Sequence, residues 1–164
     1  MENKHGIIEK LGLLPHPEGG YYKEMYRSEG SIPAAALPHH SAPRNYATSI
    51  YFLLDSENFS SLHRIKQDEL WYFHAGSGLT VHVINPNGEY HTFRLGTGEN
   101  EHFQAWVPGG CWFGATVDRP NSFALVSCAV APGFDFDDFE LGKRQELSQL
   151  FPQHREFIER MCRE

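Results

Sequence analysis

Between Leu62 and Gly78 the sequence places a histidine, His63, and a carboxylate, Glu69, among aromatic and β-branched residues. An extended strand through Glu69 turns Trp71 and Phe73 to the same side as Glu69, because side chains alternate along a strand. A histidine and a carboxylate enclosed by apolar rings are equipped for general acid–base work: burial and mutual charge move both pKa values towards neutrality. Both are metal donors as well, so what else lies near them decides between the two chemistries. Downstream, Pro108-Gly109-Gly110-Cys111 leads into Trp112 and Phe113. Together with Trp71 and Phe73 these rings would wall a flat or sugar-like ligand. In the segment Tyr21–Ser28 the even positions Tyr22, Glu24 and Tyr26 form a polar yet bulky face. Such a face fits a cavity-lining strand, and fits an interface between two copies equally well.

The elements that must position these residues are legible as a series of short runs. Ile7, Ile8, Leu11 and Leu14 have helical spacing that stops at Pro15 and Pro17. The stretch Gly30–Arg44, with Pro33, Pro38 and Pro43, reads as a loop. Strands are expected over Tyr46–Leu54, Ser60–Ile65, Glu69–His74, Thr80–Ile84, Tyr90–Leu95, Phe103–Val107 and Ser122–Val130, each bounded by turn residues. Asn85-Pro86-Asn87-Gly88 supplies a hairpin turn. From Asp138 to Arg163 the apolar spacing predicts helices broken at Pro152. The pattern is a short helix, a set of about eight antiparallel strands closing into a sandwich or barrel, then helices over one side.

Composition narrows the partners. The chain has 164 residues with 40% apolar and 13% aromatic side chains, enough to bury a core as a single domain over 1–164. The formal net charge of −7, without a run of Lys or Arg, argues against a nucleic-acid partner. Cys111, Cys128 and Cys162 have no C-x-x-C spacing, which favours a reducing compartment. Cys111 and Cys128 read as small buried apolar residues. No stretch is long enough to span a membrane, and Met1–Glu9 has no apolar core of a signal peptide, so a cytoplasmic location is expected. Asp135, Asp137 and Asp138 lack the glycine and closing glutamate of a calcium loop and read as helix capping.

At the motif level the chain resembles the cupins, whose signatures are G-x5-H-x-H-x3-4-E-x6-G and G-x5-P-x-G-x2-H-x3-N. His63, Glu69, Gly76, Pro108 and Gly110 stand at matching positions. Ile65, Phe113 and Val117 stand where the motifs have two histidines and an asparagine, and Glu57 and His102 where they have the leading glycines. Over longer stretches, Leu14-Pro15-His16-Pro17-Glu18-Gly19-Gly20-Tyr21-Tyr22, Trp71-Tyr72-Phe73-His74-Ala75-Gly76 and Val130-Ala131-Pro132-Gly133-Phe134-Asp135-Phe136 resemble a cupin subfamily of unknown function with a degenerate metal site. The resemblance implies an all-β jelly roll, the double-stranded β-helix, carrying a short N-terminal helix and C-terminal helices and paired as a homodimer.

A dedicated transition-metal site needs about three or four protein donors, and the matched positions offer His63 and Glu69 alone, so neither metal nor other cofactor is expected. The cupin-like sugar-nucleotide 3,5-epimerases are a metal-free analogy: a barrel histidine takes a proton beside a carbonyl and a tyrosine returns one. By that analogy His63 is the base, Glu69 orients it or shares its proton, and Tyr22, Tyr26 or Tyr51 is the acid. Glu24, Trp71, Phe73, Trp112 and Phe113 would then contact the ligand. The expected activity is isomerase or epimerase chemistry on a sugar-like or carbonyl-bearing molecule. Two alternatives stay open: a ligand-binding barrel without catalysis, and a metal-dependent, dioxygenase-like enzyme using His63, Glu69 and one further histidine. A barrel filled by Ile65, Trp71 and Phe113 would exclude all three.

Overall fold

A computed structural model describes residues 3–164; Met1 and Glu2, from the charged N-terminal stretch, lie outside the described residues. The first helix, α1 (Lys4–Leu11), is set by its caps: the Asn3 side chain accepts from the Gly6 N–H at 2.8 Å, and Gly12 closes it at φ 65°. It therefore ends a turn earlier than the apolar spacing predicts. Leu14 joins Pro15 in a short strand, β1 (Leu14–Pro15).

The strands that follow are β2 (Tyr21–Arg27), β3 (Ser31–Ile32), β4 (Arg44–Asn45), β5 (Thr48–Asp55), β6 (Phe59–Arg64) and β7 (Glu69–Gly76). After them come β8 (Leu79–Ile84), β9 (Tyr90–Leu95), β10 (Gln104–Val107), β11 (Trp112–Val117), β12 (Phe123–Val130) and β13 (Glu140–Leu141). Two short helices, α2 (Arg144–Leu150) and α3 (Arg155–Met161), are separated by a 3-10 turn at Pro152–His154, the break expected from Pro152. Among the described residues, no helix is long and apolar enough to cross a membrane.

A six-stranded sheet in the order β1-β2-β5-β12-β7-β10 faces a five-stranded sheet in the order β13-β6-β11-β8-β9, and the pairings are antiparallel. This is the jelly roll. Its inner faces bury Phe52, Leu54, Trp71, Val81, Phe113 and Val126 as one core. The β8–β9 hairpin turns at the expected place, with Gly88 at φ 86° and the Asn85 N–H donating to the Glu89 carbonyl. Strand β11 escapes notice in the sequence because Gly114 and Ala115 interrupt its bulk. A Cβ on Gly114 would sit 2.5 Å from the Ser60 carbonyl oxygen, so the glycine is what lets β6 and β11 lie together.

Strand parity decides which aromatic rings reach the interior. On β11, Phe113 faces the barrel core while Trp112 faces outward and packs with Leu62, Ile84 and residues of α2 and α3. Arg64 lies over the Trp112 ring at 4.6 Å. Trp112 therefore binds the helices to the sheet and has no access to the barrel interior.

Candidate functional site

One end of the barrel stays open. Ile65, Trp71 and Phe113, each at most 3% exposed, fill its closed half. Beyond them lies a cavity of about 510 Å³, of the size that holds a small ligand. His63 and Glu69, brought together by β6 and β7, line it along with Tyr22, Glu24, His16 and Glu18.

The last two come from a turn. The Gly19 N–H donates to the His16 carbonyl at 3.0 Å and the His16 N–H to the Gly20 carbonyl at 2.9 Å, closing residues 16–20 into a loop. Gly19 and Gly20 have φ values of 111° and 77°, and a Cβ on Gly19 would lie 2.2 Å from the Phe59 carbonyl oxygen. The turn is thus built for glycine and presses Glu18 into the barrel wall, where the Ser61 N–H donates to the Glu18 carbonyl at 2.7 Å.

His63 Nδ1 lies 2.8 Å from the Ser61 carbonyl oxygen and 2.7 Å from Glu18 Oε2. Both partners only accept, so Nδ1 carries the hydrogen, and Nε2 is the nitrogen left to meet a bound molecule. The N–H is aligned on the carbonyl, and Glu18 acts on the ring mainly through its charge: its Oε2 has no well-aligned donor. Phe113 and Phe139 flank the imidazole, with ring centroids at 4.1 Å and 5.5 Å.

The electrostatics divide the three groups. Burial would lower the His63 pKa, but the charge and hydrogen bond of Glu18, the charge of Glu69 and the bond to the Ser61 carbonyl together outweigh it and raise it. Burial would raise Glu18, and the charges of His63 and His16 hold it below the usual carboxylate range. For Glu69 burial wins: its carboxyl is pushed up to about 7, although the His63 charge pulls the other way. Its Oε2 is buried and has no hydrogen-bond partner. For His16 burial lowers the pKa against the pull of the Glu18 charge, and its Nδ1 accepts the Glu18 N–H at 3.2 Å.

A strap closes part of the opening. Phe134, Phe136 and Phe139 line the cavity and touch one another edge-on, with centroids 5.0 Å to 6.4 Å apart. Asp138 fastens the strap beneath: Arg44 Nε and Nη2 each donate to its carboxylate at 2.8 Å, Gln67 Nε2 donates at 2.9 Å, and His40 lies at 3.1 Å. Asp135 alone does the capping expected of this cluster, accepting from the Asp137 N–H.

Of the residues expected at the site, His63, Glu69, Tyr22 and Glu24 line the cavity. Tyr26 and Tyr51 do not. On β5, Thr48, Ile50 and Phe52 point inward, so Tyr51 points out and packs beneath α1. On β2 a bulge at Met25 shifts the pairing, so that Arg27 faces Thr48 and Tyr26 faces Ser49. Arg27 thereby takes the inward place that strict alternation assigns to Tyr26, which is 56% exposed. Trp71, Phe73 and Phe113 belong to the core below the cavity and do not line it, and Trp112 faces the helices. The aromatic wall comes instead from the strap.

Cupins that bind a metal present imidazoles and a carboxylate to it, and here two of those places hold Ile65 and Phe113. Among the described residues no three His, Cys, Asp or Glu side chains are grouped to hold an ion. The donor set does not fit a dedicated metal centre.

The profile described as Cupin superfamily (DUF985) matches residues 5–142. This chain belongs to the cupin superfamily. The cupin is similar over 99% of its length to a crystal structure from Shewanella oneidensis (41% identity, TM-score 0.90, 99% of that chain). It is equally similar to a hypothetical protein from Leishmania major (37% identity, TM-score 0.90, 99% of this chain and 100% of that one). An uncharacterised protein of Saccharomyces cerevisiae is 31% identical over 157 residues, spanning 88% of this chain and 78% of its own. Oxalate decarboxylase from Bacillus subtilis shares the fold alone, at 16% identity and TM-score 0.56 over 90% of this cupin and 36% of that chain.

Sequence reasoning missed the role of Arg163 in this cupin. Its guanidinium donates to the Glu18 carbonyl at 2.7 Å, to the Phe59 carbonyl at 2.8 Å, and to Ser61 Oγ and Asn58 Oδ1, while stacking on Phe59. It ties the end of the chain to the turn bearing Glu18 and to the strand bearing His63. Arg163→Ala is expected to cost about 2–3 kcal/mol of unfolding free energy, the range for lost hydrogen bonds to a charged group, and to lower the His63 pKa as Glu18 loosens. Urea unfolding and an NMR titration of the imidazole check both.

Proposed function

We propose that this cupin binds a small carbonyl-bearing molecule in the barrel cavity and moves a proton on it by general acid–base chemistry, as an isomerase or epimerase does. The observation that carries this reading is the pairing of two differently tuned groups in one cavity: His63, with its Nδ1–H held by Ser61 and Glu18, and Glu69, a buried carboxyl near neutrality. When His63 is neutral, the fixed Nδ1–H leaves a lone pair on Nε2, which takes the proton from the carbon beside the carbonyl. Protonated Glu69 gives its proton to the carbonyl oxygen as the enol forms. In the second half the imidazolium gives its proton to the other carbon or the other face, and the Glu69 carboxylate takes a proton back from an enol oxygen, which regenerates both groups. Nothing is oxidised or reduced, and no co-reactant is needed. Glu18 stabilises the imidazolium formed in the first step. Tyr22 lines the same cavity edge-on to His16, at 4.6 Å between centroids, and is placed to bind substrate hydroxyls.

Incubation in deuterium oxide with a panel of hydroxy-ketones tests this by NMR. The wild type should exchange the hydrogen beside the carbonyl of at least one of them, and His63→Asn should slow that exchange about 10²- to 10⁴-fold, the usual worth of a positioned base. A ketone that binds without exchange in the wild type would leave a binding barrel without catalysis.

A further inference from the structure

The charges around the cavity point to the class of ligand it accepts, an inference that rests on the cavity being the binding site. Two permanently cationic side chains line it, Lys23 and Arg27. Arg27 is already satisfied. Its Nε and Nη2 donate to the two oxygens of Glu24 at 2.8 Å, Nη1 donates to Asn45 Oδ1 at 2.8 Å, and Nη2 also donates to the Phe134 carbonyl at 2.9 Å. Lys23 sits on β2 opposite Tyr51, on the outward side of the strand, and its ammonium lies beside Gly12 at the end of α1. His63 is matched by Glu18. A dianionic phosphate in this cavity would meet no unmatched cation but Lys23, whose ammonium is turned towards the end of α1, and would face Glu69 and Asp135.

The unmet demand is of the opposite kind. Glu69 Oε2 is a buried acceptor without a hydrogen-bond partner and its residue lines the cavity, whereas Glu18 Oε2 already lies 2.7 Å from His63 Nδ1. Buried acceptors left unpaired are costly, so a ligand gains most by supplying O–H groups to them. The aliphatic and aromatic wall of Ile50, Ile65, Val130 and the strap phenylalanines suits the carbon skeleton.

We propose that the ligand is a free, unphosphorylated hydroxy-ketone or ketose, one of whose hydroxyls donates to Glu69, and that the cavity rejects phosphate esters and nucleotide conjugates. With the Glu24–Arg27 and Glu18–His63 pairs matched, the charges left facing a ligand are the carboxyls of Glu69 and Asp135, which favours an uncharged ligand over an anionic one.

Calorimetric titration of the full chain at pH 8 and low salt tests the proposal with dihydroxyacetone, erythrulose, xylulose and fructose, and with the terminal phosphate ester of each. At least one free ketose should bind, with its phosphate ester at least about tenfold weaker. Glu69→Gln should narrow the gap between ketose and ester, because it removes the facing negative charge. An ester that binds as tightly as the best ketose, or the failure of every free ketose to bind at millimolar concentration, would overturn the proposal. Selective ketose binding without deuterium exchange would keep this ligand class and remove the acid–base reading instead.

Discussion

Glu69→Gln is expected to make the protein more stable above pH 7 while stopping its proton transfer. Glu69 is pushed by burial up to about 7 from an ordinary value of 4.5. The folded state therefore holds this proton more tightly than the unfolded state does. The contribution to stability is fully present below pH 4.5 and is lost as pH rises through 7, leaving an ionised buried carboxylate without a hydrogen bond at Oε2. At about 1.4 kcal/mol per pKa unit, the cost above pH 7 is on the order of 3 kcal/mol. A glutamine of the same shape never ionises. The variant should match the wild type near pH 4.5 and exceed it by about 2–3 kcal/mol at pH 8, read by urea unfolding at the two pH values. The same substitution removes the proton donor and should slow deuterium exchange about 10²- to 10⁴-fold. Stability gained where activity is lost marks a residue kept for function. Equal stabilities at both pH values would show that Glu69 titrates as an ordinary surface carboxyl.

The second large effect is expected at Asp138, which neither contacts the cavity nor acts on a ligand. Its side chain is fully buried, and so very nearly is that of Arg44, its bidentate partner. Burial opposes its ionisation, but the bonds from Arg44 and Gln67 and the charge of His40 hold its pKa at about 2, below the ordinary 3.8. The stabilisation is present above pH 3.8 and lost as pH falls through 2, so the strap stays fastened across the range in which His63 and Glu69 titrate. Asp138→Ala leaves the Arg44 guanidinium buried and uncompensated, which should cost about 3–5 kcal/mol. Because Phe139 follows Asp138 in the strap, the loss should also be local. Hydrogen exchange of the Phe134–Phe139 amides should accelerate more than that of β5 and β12. A loss below about 1 kcal/mol, with unchanged exchange in the strap, would show that the phenylalanines hold it by themselves.

The jelly roll was legible because short β-branched runs between turn residues leave few other solutions, and Tyr90–Leu95 appears with the bounds its sequence predicts. His63 and Glu69 were legible from their types, spacing and motif positions. What stayed hidden depends on backbone irregularity or on distant parts of the chain. The bulge at Met25 exchanges Tyr26 for Arg27, and a pattern of period two cannot show an inserted residue. Trp112 is one residue from Phe113, so an error of one position in strand parity moves it from the core to the helices. The Glu18 turn was visible as two glycines after a glutamate, but its meeting with His63 is a contact across 45 residues of sequence. Arg163 is more distant still, 145 residues from the Glu18 carbonyl it holds, and no local pattern marks it. The strap phenylalanines read as ordinary apolar residues until β12 and Asp138 place them over the cavity.

The central claim is that a carboxyl holds its proton near neutrality beside an imidazole with an anchored Nδ1–H. A ¹³C NMR titration of glutamate side-chain carboxyls tests it without any ligand, the Glu69 resonance being assigned by its absence from Glu69→Gln. A midpoint near 7 is expected for Glu69, well above the other glutamates, with the His63 imidazole responding over the same range because the two charges interact. A Glu69 midpoint near 4.5, with His63 unaffected by it, would contradict the account.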